Sequence, residues 1–132
     1  MDIHLSIIGI SLVTLGLLHI IFPWYFNWET ELSRLSLVNR QVMQVHTFFI
    51  ALIVLLMGIL CLLAPRQLLE TELGHLISFG LAIFWTTRLV IQFFGFSPDL
   101  WKGKALETTV HILFSGFWTY LSWAFWTIAL SA

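Results

Sequence analysis

Residues 42–64 read VMQVHTFFIALIVLLMGILCLLA, an unbroken stretch from Val42 to Ala64 without Asp, Glu, Lys or Arg. An α-helix needs about 20 apolar residues to cross roughly 30 Å of hydrocarbon, and this stretch supplies them. Pro65 follows at once and ends the run, because proline has no N–H to continue a helix.

Three similar stretches lie outward from it, at about Ile3–Phe22, Leu73–Phe96 and Thr108–Leu130. Hydrocarbon leaves no backbone group unsatisfied, so spanning segments are helices unless they close into a barrel. The alternating polarity of barrel strands is absent. Hydrophobic residues make up 59% of the 132-residue chain and charged residues 10%, against about 25% charged in soluble domains. A soluble domain this small cannot hide so much apolar surface. The expected fold is all-α: an integral membrane four-helix up-down bundle, one transmembrane domain over residues 1–132. Short connections after Pro65 and Ser97 make successive helices antiparallel neighbours.

The longer connection, Pro23 to Gln41, carries Trp24, Tyr25 and Trp28, which suit an aromatic belt at the membrane interface. Leu32, Leu35 and Val38 alternate with Glu31, Arg34 and Arg40. That pattern predicts a short surface helix, or else a second helix that begins early, near Ser36 or Asn39. The segment Asn39–His46 is unusual because polar residues persist into an apolar helix. Arg34, Arg40, Lys102 and Lys104 fall in the first and third loops, and only Arg66 in the second. The positive-inside rule then puts loops one and three in the cytoplasm and both termini outside, in a bacterial inner (cell) membrane. The start of the chain lacks a basic region and a small-x-small cleavage site, so the first helix is read as retained. Net charge is −1 without a basic cluster, which argues against nucleic acid. Cys61 stands alone in an apolar run and forms no disulfide framework.

Polar groups are expensive in hydrocarbon, so their positions carry the functional information. At 100° per residue, His111, Ser115, Trp118, Ser122 and Ala129 share one stripe of the last helix. Ser78, Leu81, Trp85, Arg88 and Gln92 share one face of the third. On the first helix His19 follows the line of Leu5, Gly9, Leu12 and Gly16, whose glycines permit close helix approach. On the second, Arg40, Gln44, Thr47, Ala51 and Gly58 form a stripe, and His46 stands about 100° from it, facing either helix one or the headgroups. His19, His46, Arg88 and His111 fall at one depth, near loops one and three. No Asp or Glu occurs at that depth in the other helices, and Glu107, which begins the last helix, is the nearest protein partner for Arg88. Arg88 then either snorkels to the headgroups or meets an external anion such as a propionate or lipid phosphate.

Several uses of this layer follow. Haem b needs two histidines from facing helices, so His46 and His111 are its candidate axial ligands. Arg88, Arg40 or Lys104 would meet the propionates, and Trp85, Trp118 and Phe114 would line the pocket. Quinone-linked redox work is the close variant. A three-histidine Cu or Zn site at His19, His46 and His111 is another, with Met43 nearby as a soft ligand. From a different class, the chain is a non-catalytic accessory or assembly subunit of a larger membrane complex. Its seven Trp residues would then pack against lipid, other subunits or further copies in a homo-oligomer. A proton pump is disfavoured without intramembrane carboxylates. Nucleophile motifs, phosphate loops and zinc-protease signatures are missing.

Overall fold

The computed structural model describes residues 1–100 and 102–131; among them the regular structure is all helical, without strands. Seven α-helices follow one another: α1 (Asp2–Leu18), α2 (Phe22–Tyr25), α3 (Trp28–Glu31), α4 (Leu37–Leu63), α5 (Pro65–Glu70), α6 (Glu72–Phe94) and α7 (Ala105–Leu130). Single turns of 3₁₀ helix cover Leu32–Arg34 and Pro98–Leu100. The chain divides into two compact units at Pro65. The first is a hairpin of α1 against α4, and the second a hairpin of α6 against α7.

In the first hairpin the contact is made by backbone. A Cβ placed on Gly58 would stand 2.8 Å from the Gly9 carbonyl oxygen and 2.8 Å from the Val13 nitrogen. One on Gly16 would stand 3.1 Å from the Ala51 carbonyl oxygen. The expected face of α1 is the buried one: Leu5, Gly9, Leu12 and Gly16 are all buried. Helix α1 ends at Leu18, four residues before the expected boundary. The cause is Pro23, whose ring clashes with the carbonyl four residues earlier, at His19. The chain responds with i→i−3 bonds: Ile20 N–H to the Leu17 oxygen (3.1 Å), Ile21 to Leu18 (3.0 Å) and Phe22 to His19 (3.3 Å). Pro23 then sits in the first turn of α2, where its missing N–H costs nothing. Asn27 turns the chain into α3 through a left-handed conformation (φ 55°, ψ 47°), which asparagine tolerates better than most residues.

Helix α4 takes the earlier of its two expected starts. Ser36 is its N-cap, and the side chain accepts a hydrogen bond from the Asn39 N–H at 3.3 Å. The surface helix expected around Leu32–Val38 is instead α3 and one 3₁₀ turn, with Leu35 already extended.

The second hairpin opens with α5, in a segment read from sequence as a plain turn. Thr71 ties α5 to α6: its Oγ1 donates to the Gln67 oxygen (2.6 Å) and accepts from the Gly74 N–H (2.8 Å). In α6, Ser78, Leu81, Trp85 and Gln92 are buried, and in α7, Trp118, Leu121, Ser122, Phe125 and Ile128 are. The Trp126 Nε1–H donates to Thr86 Oγ1 across the pair (2.8 Å).

Two helices are long and apolar enough to cross a membrane by length and composition: α4, with mean hydropathy 2.7, and α6, with 1.5. Helix α1 has 17 residues, which makes it about 26 Å long. Helix α7 has 26 residues, about 39 Å, but is diluted by Trp, Ser and Thr. Only 22% of the most apolar window of α4 and 28% of that of α6 is buried. Most residues of both windows therefore remain half-buried or exposed.

Candidate functional site

Among the described residues the densest polar constellation lies within the second hairpin, and Gln92 is its hub. Gln92 sits near the end of α6 and is 9% exposed. Its Oε1 accepts from Arg88 Nη1–H one turn earlier (3.3 Å) and from Trp118 Nε1–H on α7 (3.2 Å). Its Nε2 lies 2.8 Å from His111 Nδ1. Arginine and the indole N–H can only donate, so both must meet the amide oxygen. The amide orientation is thereby fixed, and the NH₂ group faces His111. That group donates, so His111 Nδ1 accepts and carries no proton.

Arg88 is half-buried. Its guanidinium lies 5.0 Å from the Trp118 ring centroid and 5.4 Å from that of Phe96, both within cation–π range. Its one polar partner among the described residues is the neutral Gln92 amide. Trp118 in turn stacks on Trp85 (5.2 Å, 11°) and on Phe114 (5.4 Å, 25°). Phe93 meets the His111 ring edge-on at 5.8 Å. Trp85 is 2% exposed and Ser78 is fully buried. The Nε1 of Trp85 and the Oγ of Ser78 have no hydrogen-bond partner among the described residues. An orphaned buried donor is costly, so this face of α6 has unmet demand for an acceptor.

The first hairpin holds the other two histidines of the expected layer. Nδ1–H of His19 donates to the Leu15 oxygen (2.8 Å), as a carbonyl can only accept, and Phe22 packs on the ring at 4.6 Å. Its Nε2 is then the nitrogen with the lone pair. His19 borders a cleft of about 190 Å³ with Pro23, Trp28, Gln44, Thr47 and Phe48. His46 does not join it. It is exposed and borders grooves made of α4 residues alone, Val38–Val45 on one side and Phe49–Ile53 on the other. Of the two orientations open from sequence, the one towards helix one is not adopted.

Of the expected site residues, then, Arg88, His111, Trp85 and Trp118 come together within one hairpin. His19 and His46 share the other hairpin but different surfaces of it. Neither hairpin by itself gathers three His, Cys, Asp or Glu side chains as a metal site among the described residues. Arg40 and Lys104, the other expected cations, are half-buried and exposed respectively. Sequence reasoning set Gln92 on the right face but gave it no role. The signal was a neutral amide in an apolar helix one turn after an arginine, which has to be satisfied by something. Comparison of the chain with family models, with curated proteins and with solved structures finds no match.

Proposed function

We propose that the chain is a polytopic membrane protein in which α1, α4, α6 and α7 each cross the bilayer. We propose further that its second hairpin binds a quinone-type redox molecule. The membrane reading is supported by outward-facing apolar side chains, such as Leu63 (78% exposed) and Phe94 (85%). Water would not tolerate them in such number, and lipid does. One observation carries the ligand reading: Arg88 is held between two aromatic rings with a neutral amide as its one polar partner among the described residues. A guanidinium at that depth costs several kcal/mol without an anionic partner. Its remaining N–H groups suit a carbonyl that gains negative charge on reduction. Phe114, the partly exposed end of the Trp85–Trp118–Phe114 stack, is the ring left for such a molecule.

This branch is favoured over haem b at His46 and His111 because the Gln92 bond leaves the His111 proton on Nε2, and iron requires a lone pair there. A second reading rests on His19, whose Nδ1–H bond to Leu15 is the arrangement that orients a metal-ligating imidazole. Haem b, Cu or Zn would be held through that histidine.

The test is organic extraction of the detergent-purified protein, with mass spectrometry, metal analysis and an absorption spectrum. The expected result is a quinone near one per chain in the wild type. Arg88→Leu should lower it roughly tenfold or more, the weight of one charge-assisted hydrogen bond, with helicity by circular dichroism unchanged. A Soret band lost in His19→Ala would replace this reading with the haem one. Bound anionic phospholipid in place of quinone would make Arg88 a lipid anchor. No bound molecule at all would leave an accessory or assembly subunit.

A further inference from the structure

We infer that Gln92 is a specificity-determining residue that fixes His111 as the Nε2–H tautomer. In this role it leaves the imidazole proton on Nε2 and withholds that nitrogen's lone pair from a metal. The proposal rests on the quinone reading only for the identity of the ligand; the tautomer is set by the protein alone.

The argument runs through hydrogen-bond capacity. The Gln92 oxygen faces two groups that cannot accept, Arg88 Nη1–H and Trp118 Nε1–H. Rotating the amide by half a turn would set its NH₂ against both and forfeit two bonds. The alternative His111 tautomer would set Nδ1–H against the Gln92 NH₂ at 2.8 Å, and forfeit the third. All three bonds are satisfied together in only one proton arrangement. Burial of Gln92 and Trp118 (9% and 4% exposed) keeps water from substituting for lost partners. Arg88 and Trp118 thus reach His111 through one amide and assign its proton.

Glutamate at position 92 reverses the assignment. A carboxylate accepts from Arg88, from Trp118 and from the imidazole Nδ1–H alike. The lone pair of His111 then moves to Nε2, as in the carboxylate–histidine pairs that support metal ligands. Gln92→Glu is nearly isosteric and gains an ion pair with Arg88, so it retains the fold.

The experiment is ¹⁵N NMR of histidine-labelled protein in lipid nanodiscs without added ligand, with His111→Gln identifying the resonances. In the wild type the proton-bearing nitrogen should be Nε2, by roughly tenfold in population, the ratio one kept hydrogen bond implies. In Gln92→Glu the protonated nitrogen should be Nδ1. Titration with Zn²⁺ or Co²⁺ should shift the His111 Nε2 signal in Gln92→Glu and leave it in place in the wild type. A wild-type His111 protonated at Nδ1, or a tautomer unchanged between the two proteins, overturns the inference. Because ligand is absent, the outcome is independent of extraction: an Nε2–H tautomer without bound quinone would retain Gln92's role and discard the quinone.

Discussion

At the scale of single residues, closeness of approach decides what each position tolerates. Gly58 faces the α1 backbone, where an added Cβ would meet carbonyl and amide atoms at 2.8 Å. Backbone cannot swing aside as a side chain can. Gly58→Val should therefore destabilise the first hairpin by about 1–3 kcal/mol, as overpacking does. Gly80, on α6, is also helical, but an added Cβ meets nothing within 4 Å. Gly80→Ala should be neutral or stabilise by up to about 1 kcal/mol, since alanine is the better helix former. Unfolding of both variants in mixed micelles by SDS titration provides the comparison. Equal midpoints would mean that α1 and α4 do not touch at Gly58. The two glycines look alike in sequence, and only the approach of a second backbone separates them.

Elements were legible where one helix face decides, and obscure where distant residues decide. The inward faces of α1 and α6 follow from a 3.6-residue period, and Leu5–Gly9–Leu12 and Ser78–Trp85–Gln92 are buried as that period requires; of the stripe expected on α7 only Trp118 and Ser122 are buried, with Leu121, Phe125 and Ile128 completing the face. The end of α1 was misplaced because Pro23 acts on the carbonyl a full turn upstream, so the helix stops at Leu18 rather than beside the proline. The Gln92 hub was illegible for another reason. Its partners stand 19 and 26 residues away on α7, and periodicity ranks faces without pairing individual atoms. His46 shows the same limit, as a residue between two faces is assigned only by its neighbours. The cap between α5 and α6 is a local element that sequence can test. Thr71 satisfies the Gly74 N–H and the Gln67 carbonyl at once. Thr71→Ala should cost about 1 kcal/mol and speed hydrogen exchange at the Gly74 amide. Thr71→Ser should restore the protection, while unchanged exchange in Thr71→Ala would show the cap to be dispensable.

For the whole molecule the open quantity is the number of crossings, and it can be read from the parity of accessible sites. Helices α4 and α6 qualify on length and hydropathy, whereas α1 has only 17 residues and α7 is richer in polar and indole groups. If all four cross, Asp2 and Arg66 are separated by two crossings and share a side. Asp2 and Lys104 are separated by three and lie opposite. If only α4 and α6 cross, Asp2 and Arg66 lie opposite, and Asp2 and Lys104 share a side. The two arrangements invert every pairwise relation to Asp2, so one labelling series separates them. With the native thiol removed (Cys61→Ser), single cysteines at Asp2, Arg66 and Lys104 should be probed in intact cells with a membrane-impermeant maleimide. Four crossings, with loops of Arg34, Arg40, Lys102 and Lys104 held inside by their charge, predict labelling at positions 2 and 66, and at 104 only after permeabilisation. Labelling at 66 alone, with 2 and 104 both protected until permeabilisation, would reduce the protein to two spans. Helices α1 and α7 would then lie along the interface, and Arg88 and His111 would need another reason to meet.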